Sequence, residues 1–488
     1  MPYPQFPKNF LFGTATAAFQ IEGSPTADGK GKSIWDVFTH TPGKIRTGEN
    51  ADLACDTYAN PKRDIKTMSE LGLNAYRFSI AWSRVLPEGR GQVNQKGLDY
   101  YRRLVDLLLA RNITPFITLF HWDTPQALQD LCGGFAGRDM AYYFADYAEV
   151  VVNALGDRAK NWITLNEPWE HAAYGHLLGN HAPGYHNLFK YFRVAHHELL
   201  GHGLALERIR SISTDARVGI TLSLTPIYPA SSIPKDIAAA KVANQFFNEF
   251  YLDGIFKGSY PNPLWKQMSV ARPKIGADDM RVISVPIDFL GVNYYSREFA
   301  RAAWYMPFLR AWVDEVQVND HEQIINGRQY TNAGREVYAP AFYETLMHLK
   351  NEYGNPLMFI TENGASFTDV IENGQVHDPL RIAFLESYME AAAQAIRDGV
   401  NLHGYFIWSL VDNFEWNSGF SKRFGLVHVD HVTQHRIIKD SGRWYAELIR
   451  NQDIVKFVQV TRSGIISPSV IIDSYSSSGI IPTARTAD

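Results

Sequence analysis

The chain predicts an α/β protein: a (β/α)8 TIM barrel of eight parallel strands, single-domain, with long βα loops. Three observations predict it. Short runs of β-branched and apolar residues recur eight times along the sequence. Amphipathic stretches or long loops lie between them, the alternation expected when parallel strands are joined by crossover helices. No Gly-rich dinucleotide fingerprint follows the first run, which weakens an open, doubly wound sheet.

The strand runs fall at residues 10–16, 75–82, 114–120, 161–166, 217–224, 289–294, 356–361 and 402–410. Apolar residues at helical spacing mark helices over 95–111, 139–155, 188–212, 237–250, 340–352 and 379–398. Two inserts interrupt the alternation. Residues 30–59 are polar and turn-rich, and residues 296–335 carry Trp304, Trp312 and several charges. Inserts that follow strands lie at the C-terminal mouth of such a barrel, where they wall a pocket. No linker signals a second domain before about residue 455, so residues 3–452 read as one barrel. Residues 453–488 read as a C-terminal extension. There Ser463-Gly464-Ile465-Ile466-Ser467-Pro468 is echoed by Ser478-Gly479-Ile480-Ile481-Pro482 without helical period, as in an edge strand or a loosely packed or disordered tail.

The 488 residues suffice for two or three average domains or for one barrel with long loops. The balance of 47 basic against 51 acidic residues, net −4, is too mild to imply nucleic acid or an acidic membrane surface as partner. Aromatic residues make up 13%, more than a core usually needs; sugar-binding clefts use flat rings as platforms, and an aromatic-rich core is the competing reading. Cys55 and Cys132 are the only cysteines, which favours two free thiols in a reducing compartment. The start, Met1 to Lys8, has no basic or apolar leader region, and no stretch is long and apolar enough to span a bilayer. A soluble cytoplasmic protein is expected, and a homo-oligomer is compatible with everything above.

Two glutamates stand in matching contexts. Glu167 ends Trp162-Ile163-Thr164-Leu165-Asn166-Glu167 before Pro168, and Glu362 ends Met358-Phe359-Ile360-Thr361-Glu362 before Asn363-Gly364. Each reads as a carboxylate at the end of a buried strand, where a lone one is most often a solvated terminus. Two of them, about 195 residues apart, suggest one mouth, and a carboxylate pair is the minimum kit for cutting a glycosidic bond. Other polar residues interrupt apolar strands in the same register. Arg77 lies within Ala75-Tyr76-Arg77-Phe78, where a guanidinium is costly unless paired, and a nearby carboxylate is its natural partner. His121-Trp122-Asp123 follows the third strand, Asn293 and Tyr295 end the sixth, and Trp408 lies in the last. Singly, each fits a satisfied core group or a packing ring. Together they describe a pocket of hydrogen-bonding groups and flat rings.

Four motifs in order carry a resemblance: Gln20 in Thr16-Ala17-Ala18-Phe19-Gln20-Ile21-Glu22-Gly23; Thr164-Leu165-Asn166-Glu167-Pro168; Ile360-Thr361-Glu362-Asn363-Gly364; and Leu410-Val411-Asp412-Asn413-Phe414-Glu415-Trp416, continued by Ser421-Lys422-Arg423-Phe424-Gly425-Leu426. Over residues 3 to 452 the chain resembles glycoside hydrolase family 1, the β-glucosidase family. The resemblance implies a (β/α)8 barrel and retaining hydrolysis of terminal β-D-glucosyl residues, with β-galactosidase or β-fucosidase side activity. Substrates would be β-glucosides or cello-oligosaccharides, which links the chain to cellulose degradation, and no cofactor or metal is needed. It implies Glu167 as acid/base and Glu362 as nucleophile, with the carboxyls about 5–5.5 Å apart, and Arg77 and Tyr295 keeping Glu362 ionised. By position, Gln20, His121, Trp122, Asn166, Asn293, Tyr295, Trp408, Glu415, Trp416 and Phe424 would hold the non-reducing sugar. Asn166 is expected on its 2-hydroxyl, Gln20 and Glu415 on the far hydroxyls, and Trp408 beneath the ring. A cis peptide is expected between Trp408 and Ser409.

On the leaving-group side the resemblance implies Trp169 and the position of Arg335. Here the chain departs: many members have Met-Gly-Trp where this one has Ala333-Gly334-Arg335. A guanidinium can stack on a sugar or bond to it, but it does not replace an indole. Two other readings stay open. Relatives acting on 6-phosphorylated sugars lack the Glu415-Trp416 pair, and non-catalytic sugar-binding relatives lose one glutamate, whereas both are present here. His428, His431 and His435 have spacing that would suit metal ligands on a helix, but their surroundings read as strand. His196, His197 and His202 are expected at an interface or in solvent.

Overall fold

The computed structural model describes residues 3–306, 308–314, 318 and 321–463, with residues 453–463 as backbone alone. Eight parallel strands form one closed barrel: β1 (Leu11–Ala15), β2 (Ala75–Ser79), β3 (Thr114–Phe120), β4 (Asn161–Asn166), β5 (Arg217–Ser223), β6 (Phe289–Asn293), β7 (Met358–Asn363) and β8 (Leu402–Trp408). Each pairs with its neighbour in chain order, and β8 closes onto β1 with Leu11 opposite Gly404 and Ala15 opposite Trp408. The strands read as unbroken apolar runs because both faces are covered, one by side chains filling the barrel and one by helices.

Period-two alternation sorts the inward residues into layers. The lowest is aromatic: Phe116, Phe289, Phe359 and Phe406 meet edge to face, with Phe116 5.0 Å from both Phe359 and Phe406. Glycines opposite them make the room. A Cβ on Gly13 would stand 2.5 Å from the Phe406 ring, and one on Gly219 would stand 2.4 Å from the Phe289 carbonyl oxygen. Two residues further along each strand lie Arg77, Thr118, Gly291, Thr361 and Trp408, the first polar layer. The four rings thus close the barrel beneath the site.

Outside the barrel run α1 (Pro61–Glu70), α2 (Gln95–Leu109), α3 (Asp139–Leu155), α4 (Leu188–Ile212), α5 (Pro234–Asn244), α6 (Phe250–Lys257), α7 (Ala339–Glu352), α8 (Pro379–Arg397) and α9 (Asp440–Ser463). The helix expected over 237–250 is two helices, α5 and α6, joined by a wide π turn at Gln245–Glu249. Alanines 239, 240 and 243 let α5 pack on the insert's strands Glu298–Ala302 and Ala311–Val313, while Phe246 and Phe250 turn toward Phe192 of α4. α4 corrects the sequence reading of its histidines, because it is covered on both sides and all three are buried. His196 lies between the Tyr260 hydroxyl at 2.8 Å and Asp279 at 2.9 Å, His197 bonds the Phe135 carbonyl, and His202 bonds Thr164 of β4. α9 continues through the boundary placed at residue 452, and the rest of the extension, 464–488, lies outside the described residues. Both cysteines are free thiols, and no described helix is long and apolar enough to cross a membrane.

Candidate active site

Arg77 organises the floor of the mouth. It is buried in the first polar layer and spends its fork on three strands. Nε donates to Thr118 Oγ1 at 3.1 Å, Nη1 to Glu362 Oε1 at 2.6 Å and to the Thr361 carbonyl at 3.2 Å, and Nη2 to Asn166 Oδ1 at 2.5 Å. One guanidinium therefore holds the end of β7 and the end of β4 to β2 and β3.

Glu362 lies inside β7, which runs on to Asn363 and does not stop at Thr361 as the sequence suggests. The reason is a register shift between Ile360 and Glu362 against β6. Such a bulge re-aims a side chain without ending the strand. Its second oxygen, Oε2, accepts from the Tyr295 hydroxyl at 2.7 Å.

Glu167 follows a similar shift in β4, between Ile163 and Asn166. Its backbone is left-handed, with φ 46°, and Pro168 then starts the short helix Pro168–Ala172. Non-glycine residues in that region cost about 1–3 kcal/mol each and cluster where function over-determines them. Trp122 and Trp416, with φ 72° and 50°, are two more around this mouth. Asn293 Nδ2 donates to Glu167 Oε1 at 2.9 Å and to Asn166 Oδ1 at 3.1 Å; Asn166 Nδ2 reaches Glu167 Oε2 at 3.3 Å. Thr361 fixes Asn293 from below by donating to its Oδ1 at 2.7 Å.

The two carboxyls thus sit in unlike surroundings. Burial, then the charges of Glu170 and Glu362, hold Glu167 well above its ordinary value. Burial lifts Glu362 too, but Arg77 and the Tyr295 hydroxyl pull it back. Of the pair, Glu167 keeps the proton.

The remaining residues line one side. His121 is neutral, since burial and Arg77 push its imidazole well below its usual value. Asn166 Nδ2 contacts its Nε2 at 3.0 Å, which assigns the proton to Nδ1, and that buried N–H has no partner among the described residues. Gln20 donates to the Phe414 carbonyl at 2.8 Å and to Asn413, while its buried Oε1 has no partner among the described residues. Glu415 takes hydrogen bonds from Trp408 and Gln20, and burial raises it to about 8. The indole of Trp122 donates to the Asn166 carbonyl at 2.9 Å and packs on Trp416 at 4.6 Å; the His121 ring lies between Trp408 and Trp416. Phe424 stands edge-on to Tyr295, and the Trp408–Ser409 peptide is cis as expected.

Across the mouth, Trp169 stacks on Phe247 at 4.3 Å, and Arg335 Nη1 lies 3.6 Å from Glu298 Oε1. The sequence reading missed Glu170. Its signal was closeness in sequence: a second carboxylate only three residues past Glu167, in the first turn of the helix that follows it. The histidine run forms no helix. His428 sits in a strand and His431 stacks on Phe420 at 3.9 Å. His428, Asp369 and Asp412 bring donor atoms within 4.8 Å of one another, but Lys439 bonds both aspartates and Arg423 reaches Asp412 at 3.0 Å, so cationic side chains already occupy that charge.

The chain is similar to known proteins over this whole unit. It is 47% identical over 452 residues to the 1,4-beta-D-glucan glucohydrolase of Thermotoga neapolitana, covering 92% of this chain and 99% of that one. A Thermotoga maritima family 1 glycoside hydrolase complexed with a cyclophellitol analogue transition state mimic superposes with a TM-score of 0.87 at 46% identity, covering 92% and 98% of the two chains. A beta-glucosidase from Thermotoga maritima in complex with galacto-hydroximolactam superposes at 0.86 with 45% identity, covering 92% and 99%. The family model Glycosyl hydrolase family 1 matches residues 3–454, and on that match and these identities the chain belongs to glycosyl hydrolase family 1.

Proposed function

We propose that this protein is a retaining β-glucosidase that removes terminal non-reducing β-D-glucosyl residues from β-glucosides and cello-oligosaccharides. One observation carries the assignment of roles: a single guanidinium and a single amide link two buried carboxyls, one paired with the cation and one not. Glu362 attacks the anomeric carbon while protonated Glu167 gives its proton to the glycosidic oxygen, leaving a glycosyl ester on Glu362. Esterification removes the Glu362 charge that helped hold the Glu167 proton. The Glu167 carboxyl then falls toward its ordinary value and, as a base, takes a proton from the water that frees the sugar.

The unpartnered Gln20 Oε1 and His121 N–H, with Glu415 beside them, offer an acceptor, a donor and a carboxyl to the hydroxyls of the first sugar. Trp408 is the platform. A 6-phosphate would bring about two negative charges to a buried mouth that already holds the ionised Glu362, so the uncharged hydroxyl is preferred. The galacto-configured ligand of the Thermotoga maritima relative supports tolerance of either 4-hydroxyl epimer, hence galactosidase or fucosidase side activity. Two free thiols suit a reducing compartment, the cytoplasm.

The test uses a chromogenic β-glucoside, its 6-phosphate, and a 2-fluoro glucoside that slows release of the ester. Turnover of the first alone, with a glucosyl adduct on the Glu362 peptide by mass spectrometry, is expected. An adduct elsewhere, or preference for the phosphate, overturns the assignment.

A further inference from the structure

We propose that Glu170 and Arg335 form a polar clamp that selects a hydroxyl-bearing leaving group, a second sugar ring, over a flat apolar one. The inference rests on the glycosidase reading above. Glu167 delivers its proton to the glycosidic oxygen, so the leaving group lies along its flank. Glu170 follows three residues later in the first turn of Pro168–Ala172, near enough that its charge is the largest acting on Glu167. One of its oxygens takes the Ser223 hydroxyl and the other, Oε2, is buried and has no partner among the described residues.

Arg335 comes from the second insert. Its side chain is 41% exposed, bonds Tyr174 and lies 3.6 Å from Glu298. Tyr174, which it bonds, meets the edge of Trp169, the residue before Glu170, so the guanidinium stands on the same flank of the mouth as Glu170. The apolar platform on this flank is already half covered, because Trp169 lies against Phe247 with 24° between the rings and meets the edges of Tyr174 and Phe246. A carboxylate oxygen and a guanidinium fork complement the paired donors and acceptors of neighbouring sugar hydroxyls. Under a flat apolar ring the same two groups would be desolvated with nothing in return.

The experiment compares wild type, Arg335→Ala, Arg335→Trp and Glu170→Gln on cellobiose and on p-nitrophenyl β-glucoside, with thermal unfolding to check each fold. Losing charged hydrogen bonds should lower kcat/KM for cellobiose by about tenfold or more in Arg335→Ala and Glu170→Gln, with a smaller fall for the aryl substrate. Arg335→Trp should shift the ratio toward the aryl substrate by about tenfold. Glu170 also acts on the Glu167 proton, so a second readout isolates the clamp: the share of glucosyl-enzyme captured by added glucose in place of water. That share should fall in all three variants, whereas a general structural defect would leave it unchanged. An unchanged substrate ratio and capture share would overturn the clamp. A wild type that turned over neither substrate would instead overturn the glycosidase reading.

Discussion

Replacing Arg77 with Met removes the one cation in contact with Glu362 while roughly keeping the volume of the side chain. In the native site the two groups are 2.6 Å apart and almost wholly buried, with side chains 1% and 4% exposed. Breaking a buried pair by deleting one partner costs about 3–5 kcal/mol. At 1.36 kcal/mol per pKa unit, that is a rise of about 2–4 units if the cost falls on ionising Glu362. The Tyr295 hydrogen bond survives the substitution and holds the shift near the lower figure. The sign follows from the roles: ionised Glu362 is the attacking form, so raising its pKa removes activity from the acid side upward. Arg77 also lowers Glu167, so its loss raises that group too and the alkaline limb does not retreat. The whole kcat/KM profile should therefore move to higher pH. A 2,4-dinitrophenyl β-glucoside isolates the acid limb because its leaving group needs no proton. Arg77→Lys, which restores the charge without the fork, should shift the limb less. An acid limb unchanged or moved downward in a folded Arg77→Met protein would refute the assignment of Glu362 as the cation-held nucleophile.

Glu167→Gln should depress turnover of β-linked disaccharides far more than of activated aryl glucosides, as steady-state rates on both would report; equal loss would contradict its role. The same variant has a stability signature. Glu167 is held above 4.5 in the fold, so above that pH the unfolded chain sheds a proton that the native state keeps, and stability falls as pH rises. Glutamine lacks this penalty, and calorimetry should find the variant gaining more Tm relative to wild type at pH 8 than at pH 5. Glu415→Ala should lower kcat/KM by about 10–100-fold, in line with the cost of leaving buried substrate hydroxyls unpaired. Glu415→Gln, which copies the shape of the neutral acid present below about pH 8, should lose less. Gly219→Ala should destabilise the barrel by at least about 1–3 kcal/mol, read by denaturant unfolding, because its Cβ would meet the Phe289 carbonyl oxygen at 2.4 Å.

Strands β3 and β4 and helices α3 and α4 lie where the alternation of apolar residues puts them, since each is long enough for its period to be unambiguous. What periodicity could not give is anything decided by a neighbour. The continuation of β7 through Glu362 depends on its register against β6. The burial of His196, His197 and His202 depends on what covers the second face of α4. The split of 237–250 depends on the insert packing against α5. At the site, the polar residues that stand out against apolar strands were visible as anomalies. Thr118, Thr221 and Thr361 were not, because a threonine in a strand looks ordinary. Glu170 escaped because a glutamate in a helix's first turn is equally ordinary.

The aromatic plug formed by Phe116, Phe289, Phe359 and Phe406 has a kinetic consequence. It closes the barrel axis below the polar layer, so every ligand must enter and leave at the mouth. The severed leaving group stands between the captive sugar and solvent and must depart first. Water, or a competing alcohol, then enters along the path it vacated. Departure of the leaving group before entry of the acceptor, and inhibition by released glucose re-entering at the mouth, both fit a barrel that four rings close from below.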